Sequence, residues 1–177
     1  MKILKRILFV ILGLIALLLI IALFVKKDYA ITKEVVINKP VAEVFNYVRY
    51  LKNQDNYSIW NQIDPGMKKV YTGTDGTIGF IYAWDSKNKN AGKGAQEIKA
   101  IDENKRVDVE IRFEEPMEGT NQASVITTPI DSNKTKVEWG FYGKSPYPFN
   151  LMNLCMDALV GSDLQTNLEN LKKVLEK

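Results

Sequence analysis

Apolar and polar residues alternate without a slip from Arg106 to Glu114. Val107, Val109, Ile111 and Phe113 fall on one side, and Arg106, Asp108, Glu110, Arg112 and Glu114 on the other. A period of two is that of a strand with one buried and one wet face. Five further stretches read the same way after residue 66: KKVYTG, TIGFIYAW, AQEIKAI, TNQASVITTPI and KTKVEWGFYG. In the last of these, Val137, Trp139 and Phe141 alternate with Lys136 and Glu138. The separators DSKNKNAGKG, DENK, PMEG and DSNK are turn chemistry. Connections this short predict an antiparallel sheet rather than βαβ units. Ahead of them, the β-branched run Tyr29–Ile37 predicts a strand. Val41, Val44, Phe45 and Val48 recur at helical spacing, with Asn38 as N-cap and Pro40 in the first turn. The polar stretch LKNQDNYSIWNQIDPGM holds one more helical turn and closes at Asp64-Pro65-Gly66.

The pattern changes again in SPYPFNLMNLCMDALVGSDL, residues 145–164, which predicts the opening of a long C-terminal helix. Phe149, Met152, Met156 and Val160 form one stripe, but Leu151, Leu154, Cys155 and Ala158 make its flank apolar as well. From Leu164 onward the stripe is ordinary: Leu164, Leu168, Leu171 and Val174 or Leu175. A helix lying across a sheet has one buried side. A second apolar flank implies a further apolar neighbour, either a loop packed against it, such as the one carrying Trp60, or a membrane.

The N-terminus supplies a membrane candidate. Ile7–Val25 is 19 residues without a charge, and a helix of that length spans about 28 Å, close to the hydrocarbon thickness of a bilayer. A cleaved signal peptide is the alternative. Its apolar region is normally shorter, about 7–15 residues, and ends in a small-x-small site. No such pair directly follows this run, so a retained single-pass anchor over 1–27 is expected, followed by one domain over 28–177. Lys2, Lys5 and Arg6 precede the run, and Lys26 and Lys27 follow it. With basic residues at both ends, orientation rests on the short N-terminal stub staying inside, which puts the domain on the extracytoplasmic side.

Charge changes the picture once the anchor is set aside. Of the 24 Lys and Arg residues, five lie in 1–27, leaving 19 against 21 acidic residues in the domain, a net of −2. No basic stripe with interleaved aromatics offers a nucleic-acid surface. The chain has no histidine and one cysteine. That removes the commonest general base and any disulfide framework or thiolate cluster, and no metal or cofactor is expected. Cys155, on an apolar face, is expected to be a small buried hydrophobe.

The segments INKPVAEVFNYV, YSIWNQIDPGMKKVYTG, RFEEPMEGT and YPFNLMNLCMD, in that order around the strands, resemble the START/Bet v1-like superfamily. This is the SRPBCC group, which includes proteins labelled polyketide cyclase or dehydrase. The similarity is greatest to its membrane-anchored bacterial members. The resemblance implies an α+β helix-grip fold, in which a curved seven-stranded antiparallel sheet wraps a long C-terminal helix around a cavity. Relatives carry out lipid transfer, hormone binding, cyclase chemistry or chaperone activation, so the fold alone does not assign an activity.

On that frame the inward-facing residues are candidates for a ligand-binding lining: Trp60, Tyr82, Trp84, Gln96, Ile98, Val109, Ile111, Phe113, Trp139, Phe141, Phe149, Met152 and Met156. Plain core packing is the alternative for each. Tyr82 and Gln96 are sharper, because a buried hydroxyl or amide needs a partner. Trp60 either rims an entrance or staples its loop to the last helix. Arg112, Glu114, Glu115 and Glu118 concentrate charge near PMEG, but Arg112 and Glu114 share the outward parity. The expected function is a membrane-tethered module holding an apolar or amphipathic small molecule such as a lipid, isoprenoid or aromatic compound. A protein-interaction or regulatory domain at the membrane is one alternative. An enzyme of cyclase or dehydratase type is the other, and it requires a carboxylate reaching into the cavity.

Overall fold

A computed structural model describes residues 2–177. Helix α1 (Lys2–Phe24) is followed by strand β1 (Asp28–Ile37), helix α2 (Val41–Val48), a 3-10 segment (Leu51–Asn56) and the single turn α3 (Ile59–Gln62). Six strands follow: β2 (Lys68–Thr72), β3 (Ile81–Asp85), β4 (Lys93–Asp102), β5 (Arg106–Glu115), β6 (Gly119–Asp131) and β7 (Lys134–Lys144). They join β1 in one seven-stranded sheet of order β1-β7-β6-β5-β4-β3-β2, antiparallel throughout. Register shifts within β4–β5 and near Pro129 bend the sheet. Helix α4 (Ser162–Leu175) closes its concave face. This is the helix-grip architecture.

The register defines two ends of the sheet. Asp28 pairs with Lys144, Phe113 with Gly119, and Lys93 with both Glu115 and Asp85, so these residues share the end next to α1. Ile37, Thr135, Asp102 and Arg106 lie at the other end. In that far half the core is solid. Ile37, Val44, Val137, Leu168 and Leu171 are buried together. Beside them Phe45, Leu51, Phe80, Ile98, Val107 and Val109 form a second cluster. The outer face is wet and laced with ion pairs, such as Lys136 with Glu138 (3.1 Å) and Arg112 with Glu97 (2.8 Å) and Glu110. Hydrogen bonds from Arg112 and Lys99 hold the Glu97 carboxyl below its usual range.

Several expectations need correction. Asn38 does not cap α2. Pro40 occupies the N-cap position, and the Asn38 backbone N–H donates instead to Glu176 Oε1 (2.6 Å). The β3 strand begins at Ile81, since Gly79 takes a left-handed φ of 86° that ends strand geometry before it. The C-terminal helix is not continuous from residue 149. Phe149–Leu154 is a 3-10 segment, Asp157–Gly161 a π turn, and only Ser162–Leu175 is α-helical. Cys155 is exposed.

Helix α1 is uncovered except at its C-terminal turn and is long and apolar enough to cross a membrane; a signal sequence meets the same criterion. Its C-terminal turn is held by side chains from the 3-10 segment. Asn150 Nδ2 donates to the carbonyls of Ala22 (2.7 Å) and Val25 (2.8 Å), and Asn153 Nδ2 to those of Lys26 and Lys27 (2.9 Å each). A helix end leaves its last carbonyls without intrahelical partners, and Ala22 is one of these.

Candidate functional site

The half of the sheet nearest α1 is hollow. A cavity of about 260 Å³ lies between β3, β4, β5 and β7 on one side and the loop carrying Gln54, Trp60 and Asn61 on the other. Val160 and Leu164 close it from the C-terminal segment, and Met67, Asn90 and Ala91 complete the lining. Strand alternation explains which sheet residues reach it. Tyr82 and Trp84, Gln96, Ile111 and Phe113, and Trp139 and Phe141 all point to the concave face in the near half.

The wall is mostly apolar, and six of its fifteen residues are aromatic. Trp84 meets Phe113 edge-on (6.0 Å, 80°), and Trp60 meets Trp139 edge-on (6.4 Å, 87°). Gly94 packs between the Arg112 carbonyl and the Trp84 ring, and an added Cβ would come within 2.4 Å of the one and 2.8 Å of the other, so only glycine fits there. Trp84 Nε1 donates to the Ala91 carbonyl (3.0 Å), which fixes the ring against the loop.

One wall is polar. Gln96 Nε2 donates to Gln54 Oε1 (2.8 Å), and Asn61 Nδ2 donates to the Tyr82 hydroxyl (2.9 Å) and to Asp55 Oδ1 (2.7 Å). Among the described residues no acceptor takes the Tyr82 hydroxyl proton. Burial pushes the ionisation of Tyr82 well above the ordinary tyrosine range, and the Asp55 carboxylate and Tyr71 add to the shift. The group is therefore a neutral hydroxyl with a proton to donate. The lining residues are aromatic, aliphatic or amide-bearing, and the carboxylate required by a cyclase-type reading is not one of them. Among the described residues no group of three His, Cys, Asp or Glu is placed to hold a metal.

Trp60, like Asn90, borders both this cavity and an outer cleft of about 630 Å³ lined by Ile59, Gln62, Ile63 and Asp163. Its Nε1 donates to Asp163 Oδ2 (3.2 Å) on α4. This bond staples the loop to the last helix.

Eight of the thirteen residues singled out from the sequence line the cavity: Trp60, Tyr82, Trp84, Gln96, Ile111, Phe113, Trp139 and Phe141. Five do not. Ile98 and Val109 have the right parity but lie in the far half, packed against Phe45, Leu51 and Phe80. Phe149 and Met152 are 62% and 45% exposed, because their segment turns toward α1. Met156 packs half-buried against the core beside the cavity. The sequence reading missed Gln54, Asn61, Met67, Asn90, Ala91, Val160 and Leu164. Val160 and Leu164 simply continue the stripe of Met152 and Met156 by four residues each. The loop residues carry no periodic signal.

A hollow antiparallel sheet gripping a C-terminal helix over an apolar cavity defines the Bet v1-like fold class. The known structures agree. Norcoclaurine synthase from Thalictrum flavum, solved with a transition-state analogue, superposes with TM-score 0.62 at 11% identity, covering 84% of this chain and 94% of that one. XoxI from Bacillus cereus gives 0.61 at 12%, covering 84% and 96%. Ara h 8.0201 gives 0.55 at 16%, covering 84% and 98%. No curated protein sequence matches the chain. Residues 29–176 match the family described as polyketide cyclase / dehydrase and lipid transport, and the chain belongs to that family, within the SRPBCC superfamily.

Proposed function

We propose that the protein is a membrane-tethered binding module that holds one small apolar or amphipathic molecule in the near-half cavity. The observation that carries this reading is the cavity itself, apolar and rich in aromatic rings, with a hydroxyl and amides at one wall. Pockets of that composition suit small molecules, whose apolar body gains from burial while a few polar groups fix orientation. Size narrows the class. The cavity, at about 260 Å³, is roomier than the about 150 Å³ hole that admits benzene but lies below the usual span of about 300–1,000 Å³. A molecule of one or two rings, or a short isoprenoid or acyl tail, fits this volume, and a two-chain phospholipid does not. The free Tyr82 proton favours a ligand with an oxygen acceptor at its polar end. Helix α1 acts as a single-pass anchor with the domain on the extracytoplasmic side, which keeps the cavity close to the bilayer that dissolves such ligands.

Native mass spectrometry of the full chain, released from detergent micelles, tests the reading. A bound species that departs on denaturation, and that contains an apolar ring or short chain, is the expected result. A clean apo mass that stays unshifted after incubation with total membrane extract overturns it and favours the protein-interaction alternative.

A further inference from the structure

The segment between β7 and α4 leaves apolar side chains uncovered. Phe149 is 62% exposed, Leu154 67% and Leu159 55%, and Met152, Cys155 and Ala158 are exposed beside them. One charged residue, Asp157, interrupts this face, and it is paired with Lys33 (2.9 Å) on β1.

Its position relative to α1 says what covers it. Asn150 and Asn153 grip the carbonyls of Ala22, Val25, Lys26 and Lys27, and the Tyr147 hydroxyl donates to the Leu19 carbonyl (3.3 Å). Ala22 is 1% exposed because of this packing. Length now decides the matter. Ile7–Leu19 is 13 residues, about 20 Å of helix, against a hydrocarbon core of about 30 Å. Only the full run to Val25 is long enough to cross. A crossing α1 therefore keeps Leu19–Val25 inside the edge of the bilayer, and whatever touches them lies at that depth too. Lys26 and Lys27 follow at the level of the lipid headgroups, where basic residues favour phosphate.

We infer that Tyr147–Leu159 is seated in the interface of the same bilayer that α1 crosses, with Phe149, Met152, Leu154 and Leu159 against lipid. The inference rests on the reading of α1 as a membrane span. It goes further, because a tether alone allows the domain any orientation, whereas two asparagines and a tyrosine bonded to the helix end hold one. In that orientation the near end of the sheet, and the cavity with it, faces the lipid. Val160 in the cavity wall directly follows Leu159 on the lipid face.

The single cysteine of the chain is a native reporter, since Cys155 is exposed within this segment. A nitroxide is attached to Cys155 in the full chain, reconstituted in phosphatidylcholine–phosphatidylglycerol vesicles. Its relaxation by oxygen, which concentrates in lipid, is compared with relaxation by a water-soluble nickel chelate. Two further reporters, Gly13→Cys and Asn133→Cys, are placed in a Cys155→Ser background. A Cβ at Gly13 meets nothing within 4 Å, and Asn133 is exposed in the β6–β7 turn at the far end of the sheet. The expected result is lipid-type relaxation at Gly13 and Cys155, with nickel accessibility several-fold lower than at Asn133. Lipid-type relaxation at Gly13 with a water-exposed label at Cys155 overturns the docking and leaves the span intact. A water-exposed label at Gly13 overturns the span and the docking together. A label at Cys155 shielded from both reagents means that protein, a second copy or a partner, covers the face, which also overturns it. Leu159→Cys in the same background repeats the reading from the other end of the segment, so a local disturbance at Cys155 does not decide the outcome.

Discussion

Leu164 and Leu168 are consecutive rungs on the buried side of α4, 1% and 0% exposed, yet they face different surroundings. Leu168 packs into the solid far half, whereas Leu164 forms part of the cavity wall. Replacing each with alanine therefore separates two contributions that usually come together. The transfer contribution is the same for both. Three carbon atoms leave an apolar site, at about 0.8 kcal/mol each, or about 2 kcal/mol. The second contribution is the void left behind, about 24 cal/mol per Å³, so a residual hole of about 80 Å³ adds about 2 kcal/mol. Leu168→Ala creates that hole and is expected to cost about 4 kcal/mol. Leu164→Ala only widens a space that already exists on one side, where the leucine has no partner atoms to lose, and its cost stays near 2 kcal/mol. The gap of about 2 kcal/mol corresponds to about 4–8 °C in Tm for a chain of this size. Urea unfolding of the full chain in maltoside micelles, followed by tryptophan fluorescence, measures both. Equal losses in the two variants would refute the reasoning, because they would mean that side chains fill the near half in solution.

Further outcomes follow from the same geometry. Val160→Trp projects an indole into the cavity, and ligand uptake should vanish in native mass spectra while the folded fluorescence signal persists. Trp60→Phe keeps an aromatic ring, though a smaller one, but loses the hydrogen bond to Asp163, so ligand release measured by stopped flow should quicken several-fold with little change in Tm. Tyr57 and Tyr82 both have ionisations raised by burial, so the folded state keeps protons that the unfolded chain gives up above about pH 10. Their contribution is complete below pH 10 and is lost as pH rises toward the folded values. Each group then steepens the fall in stability by about 1.4 kcal/mol per pH unit. Alkaline urea titrations of Tyr82→Phe should therefore lose one group's share of that slope, and an unchanged slope would place the hydroxyl in water.

How much of this could be read from the chain depends on which signal each part leaves. Strands of period two announce themselves, and Val107 through Phe113 or Val137 through Phe141 are assigned to the concave face by parity alone. Parity says nothing of position along the strand. Val109 and Phe113 therefore look equivalent in sequence, although one meets Leu51 and Phe45 and the other an empty space. The polar wall is invisible for another reason. Gln54 and Asn61 lie 42 and 21 residues from their partners Gln96 and Tyr82, and no local pattern encodes a loop folding back across a sheet. The break in the last helix was legible only as a symptom. The excess of apolar residues over 149–159 pointed to a second neighbour, but Asn150 and Asn153 read as neutral interruptions until their amides are seen on the end of α1.

Those two asparagines connect α1 to the hollow. Along β1, the C-terminal segment tracks the strand from one end to the other. Asn153 is bonded beside Lys27, Asp157 pairs with Lys33, Lys172 Nζ donates to the Val36 carbonyl (2.8 Å), and Glu176 accepts from Asn38. A continuous α-helix over that course would press side chains onto the whole concave face. Instead the near portion is drawn toward α1 as a 3-10 segment, and the π turn at Asp157–Gly161 absorbs the change of path before α4 resumes. Only from Leu164 onward does a regular stripe of leucines fill the sheet. The cavity occupies the ground the helix gives up, roofed by Trp60 and its loop. On this path the cavity depends on the grip that holds the end of α1. Asn150→Leu, which cannot donate to Ala22 or Val25, should free the segment and alter ligand uptake from a site whose wall it does not touch. Unchanged uptake, with the Cys155 nitroxide signal showing the segment released, would separate the two and refute the link.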